Sequence, residues 1–395
     1  MTLKETPVRR RPRNRRQMVV DAAGPVFSER GYHGASMEEV AAKVGITAAA
    51  LYRHFPNKYA LFAQCANRMV DDLLEVLELD PRPEGLGELL PALAEVTLGN
   101  RASGGLYRWE SRYLEAEDRA GLRTKFGVLV DATAHAVARE HPGPEILLRA
   151  NAALGAIGSI TQHRTPFARG KAVELLCGAA DRVASADLST VPASASVVVL
   201  PQRQDPRGRR GEILGVAIPL FAEHGYHNVS MGQIAGELGM GSSAIYRHYP
   251  VKADILAAAC LQAAAFLEHA VAQSLHAVRS EGLTGAHASL VALVSTYVAY
   301  SFEDSALRSV AEAEIIGLPA DLQRPVRLAQ REHVSLWEQL LAQARPELEP
   351  RQARTLAHAG FGVVVESGRH LRWEDTPAHR DAVTALVLAA LGIAA

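Results

Sequence analysis

The chain of 395 residues has only three cysteines, Cys65, Cys177 and Cys260, far apart and without a CxxC spacing. That excludes a disulfide framework and a thiolate zinc site, and small buried thiols are expected instead. The N-terminus is charged and lacks the apolar stretch of a secretory leader. The longest apolar run, about 382–395, is shorter than the roughly 18 residues a membrane-crossing helix needs. A cytoplasmic protein with no membrane partner is expected. There are fifteen histidines, yet no HExxH, GxSxG, phosphate-loop or GxGxxG pattern. The glycine-rich stretch 236–243 follows no strand pattern. Catalysis, a cofactor and a metal are therefore not expected. Net charge is also lacking: 42 Lys and Arg face 43 Asp and Glu, which excludes a uniformly basic nucleic-acid coat.

What is present is unevenly placed. With 48% apolar residues the chain is globular, and its length suits two or more domains. Residues 1–16 carry Lys4, Arg9, Arg10, Arg11, Arg13, Arg15 and Arg16 against Glu5 alone, so a basic arm opens a chain that is otherwise slightly acidic.

The chain also repeats itself. Residues 30–62 align with residues 224–256 at a constant offset of 194, without a gap and with thirteen identities in 33 positions. The identities include Gly31/Gly225, Tyr32/Tyr226, Tyr52/Tyr246, Arg53/Arg247, His54/His248, Pro56/Pro250 and Lys58/Lys252, and the match extends upstream through Pro25/Pro219, Phe27/Phe221 and Glu29/Glu223. A repeat near half the chain length implies two similar halves. The stretch 185–206, rich in Ser and Ala with three prolines, reads as the linker. Its Val197–Leu200 run is suited to dock as a short extended segment.

Elsewhere the pattern is helical. A first helix over 16–30 ends at Gly31; Ser36 and Glu39 have the spacing of a capping box for a second; Gly45 breaks it; Thr47 opens a short third; Asn57 caps a long fourth to about Glu78. Ser230, Gln233, Gly239 and the 241–249 segment repeat this order. Pro25 and Pro219 fall inside the first helices, where proline is costly, so those helices either kink there or start later. The fold class is all-α, divided as a basic arm 1–16, a head 17–78, a helical body 79–184, the linker 185–206, a second head 207–268 and a second body 269–395.

Two short helices joined at a glycine form a helix-turn-helix, whose second helix suits the major groove. In 47–55, Leu51 and Phe55 face inward. Small Ala48 and Ala49 let the backbone approach base edges, and Thr47 reaches a base or a phosphate. Tyr52, His54 and Lys58 supply phosphate donors, and Arg53 reaches a phosphate or a guanine edge. The caps Ser36 and Ser230 join these candidates. In the second unit Gly241, Ser242 and Ser243 replace Thr47, Ala48 and Ala49, while Tyr246, Arg247, His248 and Lys252 are kept. Backbone-clamping residues match and base-reading residues differ, as they would if the heads read different half-sites. The arm Arg9–Arg16, interrupted by Pro12, is suited to enter the minor groove or clamp phosphates; Arg203, Arg207, Arg209 and Arg210 form a smaller analogue in the second half.

Both units resemble the TetR family of bacterial repressors, chiefly in the Tyr-Arg-His-Phe-x-x-Lys stretch. The resemblance covers about 13–78 and 207–268. It implies a repressor of double-stranded operator DNA with a helical regulatory body, dimerising through C-terminal helices. The arm, the fusion and the stretch 109–119 resemble an actinobacterial tandem type. A fused pair of unlike heads is expected to act as an intramolecular pseudo-dimer on an asymmetric operator, with 145–162 and 171–184 meeting 352–372 and 379–391. The resemblance further implies a cavity for a hydrophobic, lipid or sterol-derived effector. Candidate lining residues are Trp109, Arg112, Tyr113 and Phe126 in one half and Tyr297, Tyr300, Phe302, Glu312 and Trp337 in the other. The alternatives are an architectural, non-specific DNA binder and, more remotely, an enzyme.

Overall fold

In the computed structural model, residues 15–107, 110–189, 198, 200–201, 208–313 and 315–393 are described, without the side chains of Glu110, Ser242, Glu312 and Ala313. Among them every regular element is a helix. The first head holds α1 (Arg15–Gly34), α2 (Met37–Val44), α3 (Ala48–Tyr52) and α4 (Lys58–Glu75). Its body holds α5 (Leu86–Gly99), α6 (Ala116–Glu140), α7 (Ile146–Gly158) and α8 (Arg169–Ala184). The second head holds α9 (Gly208–His224), α10 (Met231–Glu237), α11 (Ser242–Ile245) and α12 (Lys252–Ser280). The second body continues with α13 (Ala286–Glu303), α14 (Ser305–Ala313), α15 (Ala320–Ala344), α16 (Pro350–His370) and α17 (Pro377–Leu391).

The short helices begin where capping chemistry places them. The hydroxyls of Ser36, Thr47 and Ser230 accept from the backbone N–H of Glu39, Ala50 and Gln233, and the Asn57 side chain accepts from Ala60 N–H. These contacts satisfy N–H groups that the first helical turn leaves unpaired. The prolines do not start or break the first helices. Helix α1 begins ten residues before Pro25, α9 passes through Pro219, and the break in α1 falls at Gly31. Gly31 and Gly225 have φ of 71° and 79°, a left-handed conformation that disfavours any side chain.

The two bodies share one hydrophobic core. It joins Leu148, Ala152 and Ala156 of α7 to Leu356, Ala359 and Val363 of α16, with α8 and α17 flanking them. Leu188 and Leu200, both within the 185–206 linker, pack against it. At the crossing of α7 and α16 the backbones touch. A Cβ on Gly155 would lie 2.5 Å from the Gly362 carbonyl oxygen, and the reverse approach is tighter still. Arg182 of α8 donates to the carbonyls of Ala389 and Ala390, both at 2.9 Å, capping the end of α17 in the other half. Both carbonyls lie in the last turn, where no N–H four residues on continues the helix, and that of Ala389 also accepts from Gly392 N–H at 2.9 Å.

Helix α12 serves head and body together. Ile255, Leu256 and Cys260 belong to the core of the second head, and Leu267 and Val271 to the shared core, so a boundary at 268 cuts a continuous helix. By length and composition alone α12 is long and apolar enough to cross a membrane, a test that a packed core helix also passes. Here it packs on α13, α14 and α15.

Substituting leucine at Gly155 is expected to destabilise the fold by at least about 1–3 kcal/mol, the range for overpacked cores, read by urea denaturation. Gly121→Ala, where a Cβ meets nothing within 4 Å in helix α6, should instead be neutral or stabilise by up to about 1 kcal/mol.

Candidate nucleic-acid interface and cavity

Each recognition segment is oriented by two inward anchors four residues apart. Leu51 and Phe55, like Ile245 and Tyr249, are fully buried at 0–1% exposure. The opposite face therefore points outward: Thr47, Ala49, Tyr52 and Arg53 in one head and Gly241, Ser243, Tyr246 and Arg247 in the other are exposed. Ala48, His54 and His248 are half-buried beside them. Tyr52 and Tyr246 present 47% and 50% of their surface, a large outlay of aromatic area on a short helix. Ser36 and Ser230 are exposed caps. The side chain of Ser242 and the residues Arg9, Arg10, Arg11, Arg13 and Arg207 lie outside the described set, whereas Arg15 and Arg209 are exposed, the latter paired with Glu212.

Two cations shared by the heads point inward rather than towards phosphates. Lys58 donates to the carbonyls of His33 and Ala35 at 3.4 and 3.1 Å, and its ammonium lies 4.7 Å from the Tyr32 ring centroid. Lys252 donates to the carbonyls of Tyr226, His227 and Val229 at 2.7, 3.2 and 2.7 Å, over the Tyr226 ring. Burial lowers the Lys58 pKa. An ammonium has three donors; carbonyls of the loop after the first helix take two from Lys58 and three from Lys252, so both lysines tie that loop to the fourth helix. Arg16 and Arg210 act alike at the other end. Their guanidinium carbons lie 4.6 and 4.1 Å from the centroids of Phe55 and Tyr249, and they donate to the carbonyls of His54 and His248. Arg16 also donates to the Gln64 side chain.

A cavity of about 1110 Å³ lies in the second body, lined by α12, α13, α15 and α16 and by Ser28, Leu106 and residues 161–166 of the first half. Its walls combine apolar residues, including Leu267, Val271, Phe361 and Val365, with charged ones such as Arg308, Arg327, Arg331 and Arg354. Tyr297 and Tyr300 line it; Trp337 is fully buried behind His333, to which its indole N–H donates at 3.0 Å. Phe302 is buried against Trp373 instead, and Phe126 stacks on Tyr107. Arg112 and Tyr113 lie beside the second head, within 3.3–3.5 Å of where a Cβ on Gly225 would be. These four therefore do not line the cavity. Trp109 and the Glu312 side chain are outside the described residues.

Three histidines missed in the sequence line the cavity: His163, His333 and His358. His163 stacks on His358 with ring centroids 4.3 Å apart, joining the halves. Burial lowers all three pKa values, to about 2 for His163 and about 4 for His333 and His358. Arg101 and Arg354 reinforce this for the stacked pair. Searching histidines for metal or catalytic spacing overlooks them. The available signal was helical: His333 and Trp337 are four apart, and His358 and Phe361 three.

The tetR family of bacterial regulatory proteins matches residues 19–65 and again 213–259. The chain carries two tetR-family domains in tandem. The matched segments keep the same 194-residue offset and contain the anchors, caps and inward lysines of both heads. The chain is similar to the HTH-type transcriptional activator FasR of Mycolicibacterium smegmatis, 42% identical over 66 residues, which is 16% of this chain and 30% of the relative. An HTH-type transcriptional regulator of Staphylococcus aureus is 43% identical over 53 residues, 13% of this chain and 29% of the relative. The chain thus spans less than a third of the length of these relatives. Among solved structures, AibR in complex with isovaleryl coenzyme A and operator DNA is 22% identical, over 42% of this chain and 96% of that one, with a TM-score of 0.37.

Lys252→Met should destabilise the second tetR-family domain by about 1–3 kcal/mol, since buried carbonyls lose their donor; hydrogen exchange of the 226–229 amides is the readout. The cavity histidines set an acid response. Their folded-state pKa values lie below the ordinary value near 6.5, so the unfolded chain takes up protons first. Their contribution is complete above about pH 6.5 and declines as pH falls towards 4, at up to about 1.4 kcal/mol per pH unit for each histidine. Thermal melts between pH 7 and 4.5 should show this fall, and His358→Gln should flatten it.

Proposed function

We propose that the chain is a sequence-specific, DNA-binding transcriptional regulator, a repressor in the usual sense of the family, in which one polypeptide acts as a pseudo-dimer on an asymmetric operator. The observation that carries this reading is the pairing of two heads with equivalent anchors and unlike outward residues, mounted on one shared core. Thr47 and Ala49 face out where Gly241 and Ser243 do in the second head. A homodimer presents identical readers and calls for a palindrome; this chain presents two different ones. The fusion makes the second contact intramolecular and raises its effective concentration. Tyr52, Arg53, Tyr246 and Arg247 hold the phosphate backbone, and the residues that differ read bases. The basic arm and its counterpart at Arg207 add salt-dependent affinity.

The cavity is the effector site in this reading. Apolar walls and histidines kept neutral favour a hydrophobic molecule with a few polar atoms, of lipid or sterol-derived type. Occupancy alters DNA binding only if the ligand prefers one arrangement of the heads. The finer likeness, to the tandem repressor of the third mammalian-cell-entry operon of mycobacteria, belongs to the same proposal and rests on the fusion and the basic arm. An architectural, non-specific binder is disfavoured because the heads differ at their outward positions.

Footprinting upstream of the protein's own gene, then gel shifts with either half-site scrambled, tests the proposal. The two scrambles should weaken binding unequally, by roughly 10-fold or more at the better-read half. Equal tolerance of both, or a required inverted repeat, overturns it. Arg53→Ala and Arg247→Ala should each weaken binding while leaving stability within about 0.5 kcal/mol.

A further inference from the structure

One repeated element has no part in the reading above. Gly-Tyr-His occurs at residues 31–33 and again at 225–227. In both heads the glycine turns the chain, and the tyrosine is packed beneath the inward lysine. The histidines meet. The rings of His33 and His227 are stacked with centroids 4.3 Å apart and an interplanar angle of 28°. Tyr113 from the first body closes on this pair, edge-on to His33 at 4.8 Å and 6.3 Å from His227.

His33 and His227 are equivalent positions under the 194-residue offset. When equivalent residues of two related units contact each other, the contact lies on the axis relating them. The stack is therefore at the centre of the pseudo-dimer, between the heads. Each histidine follows a tyrosine whose carbonyl loop is tied by lysine to the helix after the recognition segment, and that segment is anchored by its own buried pair. The supports on either side are reciprocal. Helix α1 of the first head packs on the 3₁₀ turn Ile315–Gly317 of the second body, and Gly225 of the second head packs on Arg112 and Tyr113 of the first. Neither histidine belongs to the buried core of its head, so the contact adds little to either head's core.

We propose that the His33–His227 stack is a spacing contact, with both residues acting as positioning residues that set the separation of α3 and α11 and hence the distance between the half-sites the chain accepts. This inference rests on the DNA-reading proposal above and deepens it.

The test is a set of duplexes carrying both half-sites with the spacer lengthened or shortened one base pair at a time. The wild-type chain should accept one spacer and lose about 10-fold or more on either side. The double variant His33→Ala/His227→Ala should keep its affinity for the best spacer within about threefold while the neighbouring spacers become nearly equivalent. His33→Gln, which keeps a flat polar group at the contact, should largely retain the preference. A folded double variant with wild-type spacer preference overturns the inference and leaves the DNA-reading proposal standing; a wild-type chain that binds no duplex overturns the latter. Spin labels at Ala49→Cys and Ser243→Cys give a second readout without DNA. The distance distribution between the heads should be narrow with both histidines present and broaden in His227→Ala, and an unchanged distribution in the folded variant counts against the spacing role.

Discussion

The contact on which the rest of this architecture depends is the crossing of α7 and α16 at Gly155 and Gly362. Two helices approach until backbone meets backbone, because neither residue has a Cβ to hold the other away. That approach lets the leucines, valines and alanines on either side interdigitate into one core rather than two facing surfaces. Arg182 then completes the end of α17 across the seam. A junction of this kind resembles an obligate interface, a core cut in two, and it fixes the bodies as one unit from which both heads project.

Within each head the cations divide into two populations. Lys58 and Lys252 hold loop carbonyls and Arg16 and Arg210 lie on aromatic faces of their own head while remaining exposed, whereas Arg53 and Arg247 stand outward beside exposed tyrosines. The inward set makes the helix-turn-helix stiff, and stiffness matters for a reader that must present a few side chains in register with base edges. The repeat keeps both sets identical, so identity between the halves mixes inward-packed with outward-facing residues.

The cavity draws on both halves of the chain. It is built by the second body but closed by the 161–166 segment and by Ser28 of the first head. Ile316, in the turn that packs on α1, also lines it. The lining therefore includes a residue of the first head and the turn that supports that head.

The duplication, the all-helical class, the helix-turn-helix order with its caps and the four helices at the seam were legible in the sequence. Each rests on local chemistry: an offset, a helical period, a hydroxyl three residues before an acceptor's partner. The fates of Lys58 and Lys252, of Arg16 and Arg210, and of Tyr113 were not legible. Nor were the burial of His163, His333 and His358 and the meeting of His33 with His227. These depend on which carbonyl, ring or cavity wall arrives from a segment tens or hundreds of residues away, and a long flexible cation reads the same whether it ends on a phosphate or on its own loop. Sequence determined what each segment is; only the tertiary structure decided what each polar side chain faces, because that is set by packing between segments and not by their own periodicity.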